Sequence, residues 1–477
     1  MKNRLLLAAL LLAPLAHAAP PVEPPPTAKT PPPSAGGAVR LDVQKLTLEN
    51  GLRVVMSVDP TSPTVAVDVV YDVGSRNEER GKSGFAHLFE HMMFQGSSNV
   101  PRGEHFKLVT AHGGTLNGTT SEDRTNYFEM LPRSELALGI WLEADRMRSL
   151  DVSQSNLDNQ RAVVKEEFRM RVENAPYVPA YFRMRELVFQ GYWPYEHPAI
   201  GTMKDLDAAA LDWVRAFHAA YYAPNNAVLS IAGDFDPKEA EAHVRRYFGP
   251  IKAQPAIPKY EPGPLPEQKG PRSAVVLDTH AKLHAIFDGW IIPPSREKDH
   301  HALELAAMVL ADGESSRLHR LLVRERAVCA EVSAETEGQR GPDIFMVQAK
   351  IASQAKPDEV ARMLDAEIRR LGQGGPTEAE MTKVKNRVRA QFLRGLQSNF
   401  QKAQKLAEYE LYWGDAAKLN DELASYLAVT DADIKRVVSQ YLTEDRRSRV
   451  MVKPHAEKAP EKAADKPAEK APTPKGQ

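Results

Sequence analysis

Apolar and polar residues follow two different periods along this chain. Residues 64–70 and 274–277 are short runs rich in valine and alanine, and their pattern predicts β-strands. Longer stretches repeat apolar residues at helical spacing. Thr377 and Glu380 form a capping box, which predicts a helix that runs past residue 390. The mixture indicates an α+β or α/β class, and the pattern leaves the strand directions open.

One helix-then-strand unit occurs twice. In the first copy, Val214, Phe217 and Tyr221 precede the predicted strand at residues 227–231. In the second copy, Ile434, Val437 and Tyr441 occupy the same helix positions 220 residues later and precede the predicted strand at residues 449–452. Each copy has apolar residues at i, i+3 and i+7. The same order of elements at the same place in two similar units favours an internal duplication.

Proline-rich segments divide the chain. Residues 19–40 and 254–271 are rich in proline, which disfavours helix and sheet, and residues 454–477 repeat Lys, Ala, Pro and Glu without an apolar period. We therefore predict an N-terminal domain at 41–253, a linker at 254–271, a C-terminal domain at 272–453 and disordered segments at both ends.

The first residues have the pattern of an export signal. Lys2 and Arg4 precede the apolar run Leu5–Leu15, and the small residues Ala16 and Ala18 follow it. This predicts a cleaved signal peptide at residues 1–18, with an uncleaved anchor as the alternative, and a secreted protein in the bacterial periplasm. No later apolar run is long enough to predict a membrane span.

Composition excludes some partners and some chemistry. The chain of 477 residues has 42% hydrophobic residues, 62 basic and 63 acidic residues, and a net charge of −1. No global field therefore favours nucleic acid or an anionic membrane. Cys329 is the single cysteine, so no intrachain disulfide forms. Its apolar neighbours predict a small buried side chain rather than a nucleophile.

The segment from Gly84 to Phe94 carries the motif H-x-x-E-H. On a helix, His87 and His91 share one face, so two imidazoles can bind one zinc ion. Glu90 lies beside that face and can act as a general base toward a water acidified by the metal. The alternative is a core helix with two incidental histidines.

A catalytic zinc site needs a third protein ligand. Residues 159–168 predict a helix with the paired carboxylates Glu166 and Glu167. Adjacent helical residues point about 100° apart, so at most one of the two faces the metal. The residues alone do not choose between them.

These residues resemble the pitrilysin or insulinase family of metallopeptidases, the inverzincins, and in particular its shorter processing-peptidase-like branch. The resemblance covers residues 41–453, and 75 residues lie between His91 and Glu167, the spacing of the family's third ligand. It therefore implies that Glu167 is the ligand and that one zinc ion binds per chain. The implied fold is α+β, with two duplicated α/β-roll domains, each a mostly antiparallel sheet backed by helices.

The resemblance also implies a substrate-binding strand. Residues 116–120 resemble an edge strand that adds an extended peptide to its sheet, and Asn117 lies in that segment. The alternative for Asn117 is a turn residue beside glycines. His87 and His91 correspond to Ala307 and Ala311 at the 220-residue offset, so the second half carries no equivalent zinc set.

The chain departs from the family pattern in two places. Gln160 replaces a glutamate near the metal, and Ala330 replaces a tyrosine that acts with an arginine, matched here by Arg324, to orient the substrate. In this branch a second chain without zinc supplies the missing pair. The resemblance thus implies a heterodimer with a homologous non-catalytic subunit, with a homodimer as the alternative.

Together these features predict a zinc metalloendopeptidase that cleaves extended oligopeptides or unfolded segments. The alternative is a non-catalytic assembly or scaffold subunit of the same fold. A metal store is a weaker alternative, because storage does not need the non-ligand carboxylate of Glu90. His300 and His301 open a predicted helix, where we expect them to face solvent.

Overall fold

The structure is a computed structural model that describes residues 40–295 and 297–454. The predicted signal peptide, nearly all of the proline-rich segment 19–40 and the tail from residue 455 lie outside the described residues. The strands are β1 (Gln44–Thr47), β2 (Arg53–Val58), β3 (Thr64–Tyr71), β4 (Thr115–Thr120), β5 (Thr125–Pro132), β6 (Ala227–Gly233), β7 (Arg272–Asp278), β8 (Ala285–Ile292), β9 (Cys329–Thr336), β10 (Asp343–Ile351) and β11 (Ser448–Pro454).

The helices lie between and after these strands. They are α1 (Phe85–Met92), α2 (Glu104–Ala111), α3 (Leu136–Ser149), α4 (Gln154–Phe168), α5 (Val178–Val188), α6 (Trp193–Glu196), α7 (Met203–Asp207), α8 (Leu211–Tyr221), α9 (Pro237–Phe248), α10 (Lys298–Ala311), α11 (Pro357–Gly374), α12 (Glu378–Gln397), α13 (Asn399–Trp413), α14 (Leu419–Ala428) and α15 (Asp431–Tyr441). Two π-helical segments lie between these elements, one at Arg169–Glu173 directly after α4 and one at His319–Glu325 before β9.

The two halves of the chain form two sheets, and the second repeats the strand order of the first without β1. The first sheet has the order β1-β2-β6-β3-β5-β4, and the second has the order β7-β11-β8-β10-β9. In each sheet one pair is parallel, β2 with β6 and β7 with β11, and the other neighbours are antiparallel. The predicted α+β fold of two duplicated, mostly antiparallel units is therefore confirmed.

The repeated helix defines the duplication closely. Helices α8 and α15 begin and end at an offset of 220 residues, and each precedes a central strand, β6 or β11. Val214 of α8 and Ile434 of α15 are both buried. The apolar period at i, i+3 and i+7 therefore marks the face that each helix buries.

Each half contributes one helix that packs on the sheet of the other half. All residues of β6 are buried, so both faces of the first sheet need an apolar cover. One cover is α13 from the second half, where Leu406 and Leu411 pack with Val228 of β6. In return, α5 of the first half packs Met184 against Phe287 of β8. The predicted boundaries at 253 and 272 stay a prediction, and packing crosses them in both directions.

Two single-residue predictions have opposite outcomes. Cys329 is buried, as predicted, and burial raises the pKa of its thiol to about 12. The prediction that His300 faces solvent is wrong, because His300 shares a face of α10 with the buried Leu303 and Ala307. Its imidazole bonds to the buried carboxylate of Asp343. His301 is half-buried.

No helix within residues 40–295 and 297–454 combines the length and the apolar content that crossing a bilayer requires.

The capping box of α12 has the predicted reciprocal geometry. The Thr377 hydroxyl accepts a bond from the Glu380 amide at 3.3 Å, and the Glu380 carboxylate accepts one from the Thr377 amide at 2.8 Å. We expect Thr377→Ala to lower the free energy of unfolding by about 1 kcal/mol. The matched control is Thr382→Ala, an exposed site inside the same helix, where alanine should be neutral or stabilising by about 0.5 kcal/mol. Urea unfolding distinguishes the two, and equal effects would contradict the capping account.

Candidate metal centre and active site

Helix α1 divides its side chains between the core and a polar site. Its buried face carries Phe85, Leu88, Phe89 and Met92, and the opposite face carries His87, Glu90 and His91. The helix begins after Gly84, which has φ of 86° and lies where a Cβ would be 2.7 Å from the Ile200 carbonyl oxygen. A glycine is required there by both the left-handed backbone and the close approach.

Helix α4 brings Glu167 to the two histidines. Glu167 Oε2 lies 3.2 Å from His91 Nε2 and 3.7 Å from His87 Nε2. Glu166 is exposed and pairs with Arg169 at 2.8 Å. Of the two adjacent carboxylates, the structure therefore places Glu167 beside the histidines and turns Glu166 to the surface.

The three side chains fit a zinc ion. Their ligand atoms all lie within 4.8 Å of one another. Two ligand atoms that each bind a tetrahedral zinc at about 2.0–2.1 Å are about 3.3 Å apart, close to the two separations from Glu167. Two imidazoles and one carboxylate are also a donor set that zinc favours. The role of these residues as metal ligands stays a prediction.

Gln160 orients one of the imidazoles. His91 Nδ1 lies 3.2 Å from Gln160 Oε1. Because an amide oxygen only accepts, His91 Nδ1 donates to Gln160, and Nε2 is the ring nitrogen that faces Glu167 and would bind a metal. Gln160 thus fixes the tautomer that a ligand needs, although it lacks the charge of the glutamate in the family pattern.

The protonation states of His87, His91 and Glu167 also favour a cation at this site. Burial and the neighbouring His91 lower the pKa of His87 to about 4, so its imidazole is neutral. The hydrogen bond from His91 lowers the pKa of Glu167, which stays ionised. Burial opposes the charged form of His91, but its bond to Glu167 outweighs that effect and raises its pKa. The three side chains together therefore favour one positive charge between them.

Glu90 is held at the edge of this cluster by strand β4. Thr120 donates its hydroxyl proton to Glu90 Oε2 at 2.6 Å. A Cβ added at Gly118 would lie only 3.1 Å from Glu90 Cγ, so the strand backbone packs against the carboxylate side chain. Burial raises the pKa of Glu90. The family resemblance placed Gly118 and Thr120 in the substrate-binding strand, but their contacts with Glu90 were not predicted.

Strand β4 is an edge strand. Among the described residues it pairs only with β5, so its other side has free backbone donors and acceptors. Asn117 is exposed in this strand, opposite Phe128, and not in a turn. Its Oδ1 accepts a bond from the Gly118 amide at 3.0 Å. Its role in substrate binding stays a prediction.

The second-half residues lie on a comparable edge. Ala330 is exposed in β9, which has the position in the second sheet that β4 has in the first. Arg324 is exposed in the π-helical segment before β9. In the described part of the chain, no ion pair or hydrogen bond joins Arg324 to the His87 cluster.

A second acidic cluster near α1 does not resemble a metal site. His105, Glu129 and Glu143 bring ligand atoms within 4.8 Å of one another, and all three are buried. However, the Arg146 guanidinium bonds to Glu143 and lies 3.6 Å from Glu129. Arg146 already supplies the positive charge that these carboxylates need.

Comparisons with known proteins find matches to both halves of the chain. Residues 53–186 match the family described as Insulinase (Peptidase family M16), and residues 209–388 match the family described as Peptidase M16 inactive domain. The zinc protease PqqE of Helicobacter pylori is 32% identical over 417 residues, which cover 86% of this chain and 93% of that protein.

Solved structures share the fold. A protease from Helicobacter pylori has a TM-score of 0.83 at 31% identity, covering 87% of this chain and 100% of that chain. A peptidase M16 inactive domain from Pseudomonas fluorescens has a TM-score of 0.77 at 19% identity, covering 88% and 100%, and shows the fold alone.

The adjacent carboxylates provide a direct test of the metal centre. We expect Glu167→Gln to weaken zinc binding between His87 and His91 by more than about 10-fold, because loss of a supporting residue alone costs about 10- to 100-fold. Glu166→Gln makes the same change one residue away and should leave zinc affinity unchanged. Zinc titration against a chelator measures both. Equal affinities in the two variants would contradict the assignment of Glu167.

Proposed function

The chain belongs to the insulinase family of peptidases, family M16, and from that premise we propose that it is a zinc-dependent endopeptidase. It hydrolyses extended oligopeptides or unfolded segments, with zinc held by His87, His91 and Glu167. One observation carries this proposal: a second carboxylate, Glu90, lies beside the ligand set and is bonded to a free sheet edge through Thr120. A scaffold subunit would not need that arrangement.

The free edge of β4 binds the substrate backbone. An extended peptide that pairs with this edge forms main-chain hydrogen bonds that depend little on its side chains. Because Gly118 and Thr120 contact Glu90, the same pairing brings a peptide bond to the carboxylate. Holding the reactants in register removes much of the entropic cost of the reaction.

Glu90 moves the proton. A zinc ion in this site supplies Lewis acidity, which makes a water easier to deprotonate and polarises the scissile carbonyl. Glu90 accepts a proton from the attacking water while the water oxygen forms a bond to the carbonyl carbon. Glu90 then gives that proton to the leaving nitrogen as the C–N bond breaks. The pKa of Glu90, raised by burial, suits a group that must both accept and release a proton.

Thr120 and the apolar face of α1 support this base. The Thr120 hydroxyl holds one carboxylate oxygen of Glu90, so the other is free to face the water. Leu88, Phe89 and Met92 are almost fully buried and anchor the helix in the core. The histidines and Glu90 are therefore carried by a rigid element, as a preorganised site requires.

The second half provides a wall and a partner surface rather than a second active site. Ala307 and Ala311 are the counterparts of the two histidines. Ala330 on the edge strand β9 offers no hydroxyl to the substrate, and Arg324 is exposed nearby in sequence. These features support a heterodimer in which a homologous non-catalytic chain supplies the missing phenol, with a homodimer as the alternative.

The N-terminal pattern supports export. Lys2, Arg4 and the apolar run before Ala18 lead to a mature protein in the bacterial periplasm. N-terminal sequencing of the exported protein should start at Ala19, and an intact leader would contradict cleavage.

Removing the base tests the central step. Glu90→Gln keeps the shape of the side chain and an oxygen for Thr120, so zinc content should equal that of the wild type. Peptide cleavage should fall by at least about 100-fold, the lower range for general base catalysis. The control is Glu79→Gln, which changes an exposed carboxylate paired with Lys82 and should keep full activity. Equal cleavage by the Glu90 variant and the wild type would contradict the proposal.

The hydrogen bond from Thr120 makes a finer prediction. Thr120→Val keeps the shape but removes the donor to Glu90. A bond to a charged group contributes about 1.5–3 kcal/mol, so kcat should fall by about 10- to 100-fold with little change in KM. Thr115→Val, an exposed site in the same strand, is the matched control. A kcat of Thr120→Val equal to that of the control would show that Thr120 does not position the base.

The partner proposal predicts that activity depends on assembly. The purified chain should cleave a quenched peptide slowly, and the addition of a zinc-less homologue should raise the rate by at least about 10-fold. The same homologue with its tyrosine replaced by phenylalanine should raise the rate less. Full activity of this chain alone would contradict an obligate heterodimer.

A further inference from the structure

A second cluster of metal-binding side chains lies in the second half, at the start of α10. His300 Nδ1 is 3.4 Å and His301 Nδ1 is 3.6 Å from Glu304 Oε2. The three ligand atoms lie within 4.8 Å of one another. Glu304 follows His300 by four residues and His301 by three, so its carboxylate reaches both imidazoles on the helix surface.

Both ring nitrogens that face Glu304 lack a hydrogen-bond partner. In the described structure, His300 Nδ1 and His301 Nδ1 are buried atoms that form no hydrogen bond. The side chain of His300 is only 1% exposed, so water does not replace the missing partner. Unsatisfied buried polar atoms are costly, and two aimed at one carboxylate indicate a missing cation.

Asp343 fixes the tautomer of His300. Its Oδ2 lies 2.7 Å from His300 Nε2 and also accepts the Gly338 amide, and its Oδ1 accepts the Ile344 amide. An ionised carboxylate with these partners needs Nε2 to carry a proton, which leaves Nδ1 to bind a metal. Gln160 acts on His91 of the first site in the same way.

We propose that His300 Nδ1, His301 Nδ1 and Glu304 Oε2 bind a second divalent transition metal ion, with zinc as the preferred ion. The donor set is the same as at His87, His91 and Glu167, and its separations fall within the range found there. The site shares no residue with the proposed active site.

A cavity gives the ion access. A cavity of about 460 Å³ is lined by all three residues and by Tyr426 of α14. The side chains of His301 and Glu304 are 21% and 29% exposed, so an ion from solvent reaches them. The Tyr426 hydroxyl donates to Glu304 Oε2 at 2.5 Å, and the ion would therefore tie α10 to α14. We assign the ion a structural role, because it would join two helices of the second half.

The competing occupant is a proton. Burial disfavours a charged His300, but its hydrogen bond to Asp343 and the nearby Glu304 carboxylate outweigh that effect and raise its pKa to about 9. A protonated imidazole between two carboxylates needs no metal. The two accounts differ in the amount of zinc that the chain binds.

Zinc stoichiometry separates them. We would dialyse the full mature chain against buffered Zn²⁺ and measure bound zinc per chain for the wild type, His91→Ala, His301→Ala and the double variant. The expected values are two, one, one and none. Glu304→Gln keeps an acceptor for Tyr426 and should also bind one. His243→Ala, which changes an imidazole beside Glu239 on α9, is the matched control and should bind two.

One zinc per chain in the wild type and none in His91→Ala would overturn the second site and leave the proposed active site intact. Two in both His301→Ala and Glu304→Gln, with circular dichroism unchanged, would also overturn it. If zinc falls in His301→Ala but not in His91→Ala, the second site stands and the metal assignment of the proposed function fails.

Discussion

The contact between helix α1 and strand β4 is the constraint on which the site depends. The helix carries the ligands and the base, and the strand offers the free edge on which a peptide can extend the sheet. They meet where Gly118 leaves room for the Glu90 side chain and Thr120 bonds to its carboxylate. A larger residue at 118 would push apart the two elements that must act on the same peptide bond. Chemistry and substrate recognition are thus joined by one small residue and one hydroxyl.

The duplicated fold explains how this contact is supported. Each half forms a sheet with one parallel pair among antiparallel strands, and each sheet needs cover on both faces. The exchange of α5 and α13 supplies the missing cover, so neither sheet is complete without the other half. The second half keeps the scaffold but has alanine where the first has its histidines. It carries instead the cluster of His300, His301 and Glu304, which lies nearer the start of its helix than the two alanines.

The sequence predicted elements wherever a period or a cap was strong. Residues 64–70 lie in β3, Thr377 caps the start of α12, and the repeated positions of Val214 and Ile434 lie in α8 and α15. The H-x-x-E-H spacing placed its three side chains on one helical face, as a period of 3.6 residues requires. Strand order and direction could not be read in this way, because alternation marks faces and not neighbours. The exchange of helices was hidden for the same reason.

The remaining differences came from tertiary contacts. Glu166 and Glu167 have the same side chain, and only the packing of α4 on α1 separates them in space. Thr120 and Gly118 act on Glu90 across about thirty residues of sequence, and no local pattern reports such a contact. His300 was expected at the surface because histidine at a helix start often lies there, and the buried partner Asp343 reversed that outcome. Polar residues with buried partners are the positions at which reasoning from periodicity is weakest.

The most direct test of the central claim is a crystal structure of the Glu90→Gln variant with zinc and a bound peptide. The account predicts zinc density between His87, His91 and Glu167, with metal–nitrogen distances of about 2.0–2.1 Å. It also predicts that the peptide pairs with β4 as an added strand and that its carbonyl faces residue 90. No zinc between His87, His91 and Glu167, or a peptide bound away from the β4 edge, would contradict the claim that α1 and β4 together form the active site.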